Sequence, residues 1–92
     1  MSTDMTYFRP QITYEPSTDT MYIEVRAFVD AAPGQDTSRI GGEDAGENLV
    51  IHYDATDRPH AYEIEHASEH PEHIIAALKE LRRNTRMARA AE

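Results

Sequence analysis

Residues 50–68, VIHYDATDRPHAYEIEHAS, decide how this chain is read. Residues 47–54, ENLVIHYD, read as a strand with Leu49, Ile51 and Tyr53 on one face and Val50, His52 and Asp54 on the other. Asp54-Ala55-Thr56-Asp57-Arg58 is turn chemistry, because Asp and Thr side chains bond nearby backbone. Pro59 suits a strand start, where no ladder hydrogen bond is lost. Residues 60–67 alternate again, and Ser68 then offers a helix cap. The stretch therefore predicts strand, tight turn, strand and helix start.

Working towards the N-terminus, residues 30–46 hold all four glycines of the chain and several acidic residues. This composition predicts a long loop, with 37–40 as a short edge strand within it. Before it, residues 20–29 read as a strand with Met21, Ile23, Val25 and Ala27 on one face. Residues 11–15 form a shorter strand, joined to it by the Pro16-Ser17-Thr18-Asp19 turn. Residues 1–10 read as a loose lead-in. Working towards the C-terminus, Ile74, Ile75, Ala77, Leu78 and Leu81 give residues 69–88 an apolar helical face. Residues 89–92 read as a frayed tail.

The expected fold is α+β: a four-stranded antiparallel meander with one C-terminal helix packed on one face, all in one domain spanning 1–92. The expected core is Ile12, Tyr14, Met21, Ile23, Val25, Ile51, Tyr53, Tyr62, Ile64, Ile74, Leu78 and Leu81. Tyr22, Phe28 and Val50 fall on the opposite sheet face. There they form a candidate partner or dimer surface.

Composition narrows the chemistry. The chain has 92 residues and no cysteine, which excludes disulfides, thiolate metal sites and thiol nucleophiles. Net charge is −8, from 17 acidic and 9 basic residues, which argues against general nucleic-acid binding. The basic residues gather late: Lys79, Arg82, Arg83, Arg86 and Arg89 stand against Glu80 alone. This stripe is a second candidate partner surface, or a solvated helix end. No apolar run is long enough to span a bilayer, and residues 1–11 lack the basic start and apolar core of a signal peptide. The expectation is a cytoplasmic protein without membrane contact.

Two constellations carry possible chemistry. His66, His70 and His73 lie close together among Glu65, Glu69 and Glu72, and imidazole with carboxylate suits zinc, nickel or iron. The plain alternative is a solvated first helical turn. His52, Asp54, Glu63 and Glu65 share one face of two strands, and a histidine beside carboxylates is suited to acid–base work. The plain alternative is an acidic, solvated sheet face. No nucleophile elbow and no phosphate loop is present, so no catalytic residue is assigned.

The segments ITYEPSTDTMYIEV (residues 12–25) and LVIHYDATDRPHAYEIEHAS (residues 49–68) resemble the YuzE-like family of small proteins, the domain of unknown function 2283. Tyr14, Asp19, Tyr22 and Ile23 match the first part of that family's pattern. Asp54, Glu63, Ile64, Ala67 and Ser68 match the second. Glycines of the family pattern are replaced around Asp57-Arg58 and Ala61-Tyr62. The resemblance implies the sheet-and-helix fold and no assigned activity. The leading functional expectation is a non-catalytic protein-interaction or regulatory module with a protein partner or a homodimer, requiring no cofactor. The second is a metal- or small-ligand-binding domain using His66, His70 and His73.

Overall fold

The computed structural model describes residues 9–90, with side chains as far as residue 85. Five strands and one long helix form two layers. The strands are β1 (Ile12–Glu15), β2 (Thr20–Glu24), β3 (Gly41–Gly46), β4 (Leu49–Tyr53) and β5 (Pro59–Ile64). A short 3-10 turn, Ala67–Glu69, leads into α1, Pro71–Ala90. Every strand pair is antiparallel, and the order across the sheet is β1-β2-β5-β4-β3.

The α+β class and the single terminal helix match the sequence expectation, but the sheet has five strands, and it is not a meander throughout. The fifth is β3, GGEDAG, in the segment read as loop, and not at 37–40. All six of its residues are exposed, so no apolar alternation marks it. Backbone pairing with β4 holds it instead. Gly42 permits this pairing: a Cβ there would lie 2.9 Å from Val50 Cγ1 and 3.0 Å from His52 Cε1. Asn48, at φ 59, makes the tight reversal into β4. The long connection between β2 and β3 carries the β3–β4 hairpin past the position beside β2. After the short β4–β5 turn, β5 returns into that position, which breaks the meander order.

β2 is also shorter than its alternation predicts, ending at Glu24 rather than residue 29. The chain turns there because Arg26 is drawn inward to Asp54. β5 ends at Ile64 rather than running to 67, since His66 adopts the left-handed conformation at φ 52. The helix begins at Pro71, whose fixed φ and missing N–H suit a first helical position. Ser68 does not cap it directly, because its hydroxyl is engaged by Asp19.

The core lies between α1 and one sheet face. Register places Met21 beside Ile64, Ile23 beside Tyr62, Leu49 beside Ile64 and Ile51 beside Tyr62, all on the helix side. Ile23, Val25, Leu49, Ile64, Ala67 and Ala77 are buried together, with Met21, Ile51, Tyr62, Ile74 and Leu81 packed against them. Asn84 is buried too, and its amide donates to the Val25 carbonyl at 2.8 Å. Three residues expected in the core are outside, Ile12 (54% exposed), Tyr14 (47%) and Leu78 (42%), as is Ile75 (53%) of the apolar helical face. The helix lies over β2 and β5, leaving β1 uncovered. Its buried stripe, Ile74-Ala77-Leu81-Asn84, is narrower than its apolar face. No helix among the described residues is long and apolar enough to cross a membrane.

Truncating Ile23 to Ala removes a fully buried side chain and is expected to cost about 2–5 kcal/mol. Glu65→Ala is expected to stay within about 0.5 kcal/mol, because that side chain is exposed. Urea denaturation of the two variants checks both values.

Candidate functional site

Three groups of polar side chains are built by this fold. The first is central. Asp54 is fully buried, and its Oδ2 accepts from Arg26 Nη2 at 2.8 Å and from the Val29 N–H at 3.0 Å. Its Oδ1 accepts from the Thr56 hydroxyl at 2.6 Å and the Thr56 N–H at 2.9 Å. Arg26 further donates to the Arg58 and Pro59 carbonyls. Burial pushes the Asp54 carboxyl up, but the bonds from Thr56, Val29 and Arg26 outweigh it, and its pKa is lowered. Asp54 is therefore an anchor inside the molecule.

His52 and Glu63 do come together on the uncovered sheet face. The His52 ring bonds Glu63 Oε1 at 2.9 Å, and Tyr22 lies 5.7 Å from that ring. Glu65 is exposed beyond the end of β5, so the expected four-residue surface reduces to one pair. Phe28 packs edge-on against His60, with ring centroids 4.9 Å apart. His60 is the extra residue of a bulge between β4 and β5. It is buried, and its Nδ1 has no hydrogen-bond partner among the described residues. Burial lowers its pKa, which favours the neutral ring. Val50 is half-buried on the same face.

The second group surrounds Asp19, which sits at φ 54 in the β1–β2 turn. Its carboxylate accepts from the Tyr14 hydroxyl at 2.7 Å and the Ser68 hydroxyl at 2.6 Å. The Ser68 N–H reaches both carboxylate oxygens at 3.2 Å, and the Ala67 N–H donates to the Asp19 carbonyl at 2.8 Å. The Ser68 and Tyr14 hydroxyls lower the Asp19 pKa, while Asp19 raises that of Tyr14. Beside this network lies a largely apolar cleft of about 190 Å³, lined by Tyr14, Asp19, Met21, Ala67, Ser68 and Ile74. None of these residues stands out as a site residue from composition or spacing alone. The signal was there, since Tyr14, Asp19, Ala67 and Ser68 all match the family pattern.

The Asp19 network joins residues from both halves of that pattern, and Asp54 belongs to the second. A profile of the family described as "Protein of unknown function (DUF2283)" matches residues 11–68, more than half of the chain. The chain belongs to this family. The matched segment runs from just before β1 to Ser68, so it takes in the whole sheet and the Asp19 network. No curated protein and no solved structure matches the chain.

The third group joins the hairpin tip to the helix start. His70 Nδ1 bonds Glu72 Oε2 at 2.9 Å, and Asn48 Nδ2 lies 2.9 Å from His70 Nε2. His73 Nε2 donates to the Glu47 carbonyl at 2.8 Å. The Glu72 hydrogen bond, with Glu47 and Glu69 nearby, raises the His70 pKa, and His70 lowers that of Glu72. His66 is exposed and stands apart from this group. On α1, Arg82 and Arg83 are exposed, and Arg83 pairs with Glu80. The side chains of Arg86 and Arg89 lie outside the described residues.

Replacing Asp54 by Asn leaves the buried Arg26 cation without its counter-charge, at an expected cost of about 3–5 kcal/mol. Because the pKa of Asp54 is lowered by folding, its contribution is present above the unfolded carboxylate value. It is lost as pH falls through the folded value. The wild-type urea midpoint is therefore expected to drop below about pH 4, and to drop less in Asp54→Asn. Asp19 has the same sign, so Asp54→Asn is expected to retain part of the slope.

Proposed function

We propose that this domain is a non-catalytic protein-interaction module that docks through the outer edge of β1 and the neighbouring flank of α1, and that a second copy of the chain occupies this surface. The observation that carries the reading is where the exposed apolar side chains fall. Ile12 and Tyr14 pair with Ile23 and Met21, so they stand on the helix side of the sheet. Ile75 and Leu78 follow Ile74 around the helix, away from the flank that His73 and Glu80 occupy. The cleft between Tyr14 and Ile74 connects the two sets. At about 190 Å³ it falls below the range of about 300–1,000 Å³ usual for small-molecule sites, and it suits an inserted side chain.

The two sheet edges differ in a way that supports the same reading. β3 is glycine-rich and acidic and carries a register irregularity between Asp44 and Gly46, features that discourage strand addition. β1 reads ITYE, and its outer edge is unpaired among the described residues. The Glu24 N–H bonds the Gln11 carbonyl at 3.0 Å. By alternation, the Ile12 and Tyr14 backbone groups point outward. Antiparallel β1–β1 pairing about a twofold axis would continue the sheet and bring the two Ile75–Leu78 flanks to the same side of the junction.

Sedimentation velocity across the micromolar range tests this. Wild type is expected at twice the 10.5 kDa chain mass. Ile75→Glu with Leu78→Glu is expected to weaken association at least about tenfold with unchanged circular dichroism, because both positions are exposed. A wild type that stays monomeric at every concentration, or a charged double variant that dimerises equally well, overturns the reading.

A further inference from the structure

We infer that His70, Glu72 and His73 form a binding site for a divalent transition-metal ion, zinc foremost, at the junction of the β3–β4 hairpin and α1. One nitrogen of each imidazole and one carboxylate oxygen of Glu72 all lie within 4.8 Å of one another. In a tetrahedral zinc site, bonds of roughly 2.0–2.1 Å put donor atoms about 3.3–3.4 Å apart. The observed separations bracket that value. His70 Nδ1 is 2.9 Å from Glu72 Oε2, and His73 Nε2 is 3.9 Å from the same oxygen. The first gap must open, and the second must close, by about half an ångström. The two rings are already near-parallel, 19° apart with centroids 5.0 Å apart. Two imidazoles and one carboxylate match zinc, cobalt(II) and nickel(II), and leave positions open for water.

The surroundings orient these donors. Asn48 sits against the far nitrogen of His70. In the metal-free protein the Asn48 Nδ2 donates to Nε2, and Nδ1–H donates to Glu72. For Nδ1 to ligate an ion the ring takes its other tautomer, with the proton on Nε2, and the Asn48 amide turns its oxygen to accept it. Asn48 is held in the left-handed conformation by the tight hairpin turn, so this partner is placed by the backbone. In the metal-free protein His73 Nε2–H donates to the Glu47 carbonyl, and ligation through Nε2 gives up that bond and takes the tautomer with the proton on Nδ1. The positive end of α1 opposes a cation at this position. The carboxylates of Glu47, Glu69 and Glu72 act in the other direction.

The test is a titration of the full chain with zinc chloride, following the imidazole resonances of all five histidines by NMR. The expected result is saturation at one equivalent, with shifts at His70 and His73 and none at His52, His60 or His66. His73→Ala and Glu72→Gln are each expected to weaken zinc binding at least about tenfold while leaving the fold intact, since neither side chain is in the core. Cobalt(II) is expected to give the d–d absorption of a low-coordinate nitrogen–oxygen site. The proposal is overturned if excess zinc leaves His70 and His73 unshifted. It is equally overturned if all histidines shift in proportion to exposure, or if both variants bind zinc as tightly as wild type.

Discussion

The buried Arg26–Asp54 pair organises this fold. A charge pair inside so small a domain is tolerated only when its remaining hydrogen-bonding positions are filled. Here the Thr56 hydroxyl and N–H, the Val29 N–H and the Arg58 and Pro59 carbonyls fill them. Those partners come from the end of β2, the long connection and the β4–β5 turn. Satisfying one carboxylate therefore fixes three chain segments together. The Val25 N–H, bonded to the His60 carbonyl at 2.8 Å, continues the β2–β5 contact up to this point. Placing β5 beside β2, with the β3–β4 hairpin outside it, fits the same requirement.

Asp19 does at the other end of the sheet what Asp54 does near its centre. It links the β1–β2 turn to the entry of α1 through Tyr14, Ser68 and Ala67, and so sets where the helix lies across the strands. The two aspartates differ in setting. Asp54 is sealed inside, whereas the Asp19 network is exposed and borders the apolar cleft. This difference explains why one is purely an anchor while the other sits next to the surface proposed for docking. With α1 seated over β2 and β5, β1 keeps its apolar side chains in the open. At the opposite flank, His70 and His73 reach the hairpin tip at Glu47 and Asn48. Dimerisation and metal binding would thus use different flanks of the same helix.

Much of the architecture was legible from local pattern. Alternation over 50–54 and 60–64, turn chemistry at 54–58 and the apolar spacing of 74–81 each reflect a burial preference that acts within a few residues. β3 was not legible, because GGEDAG buries no side chain and is held only by backbone bonds to β4. The end of β2 was not legible either, since the alternation continues through residue 29 while Arg26 answers to a carboxylate 28 positions away. Ile12, Tyr14 and Leu78 have core-like side chains, but whether they are covered depends on the helix's crossing position. Of the candidate site residues, His70 and His73 were visible through their spacing. Glu72 stood out only as a neighbouring charge, and Asn48 carried no signal in its residue type.

The sequence by itself determined the α+β class, the placement of most strands, the terminal helix and family membership, because periodicity and turn residues encode local burial. Tertiary structure alone decided the strand order, the fifth strand, the burial of Asp54 and the exposure of the β1–α1 strip. Each of those depends on which distant groups meet, and a hydrogen bond or a covering helix supplied from far along the chain leaves no periodic mark at the residues it acts on.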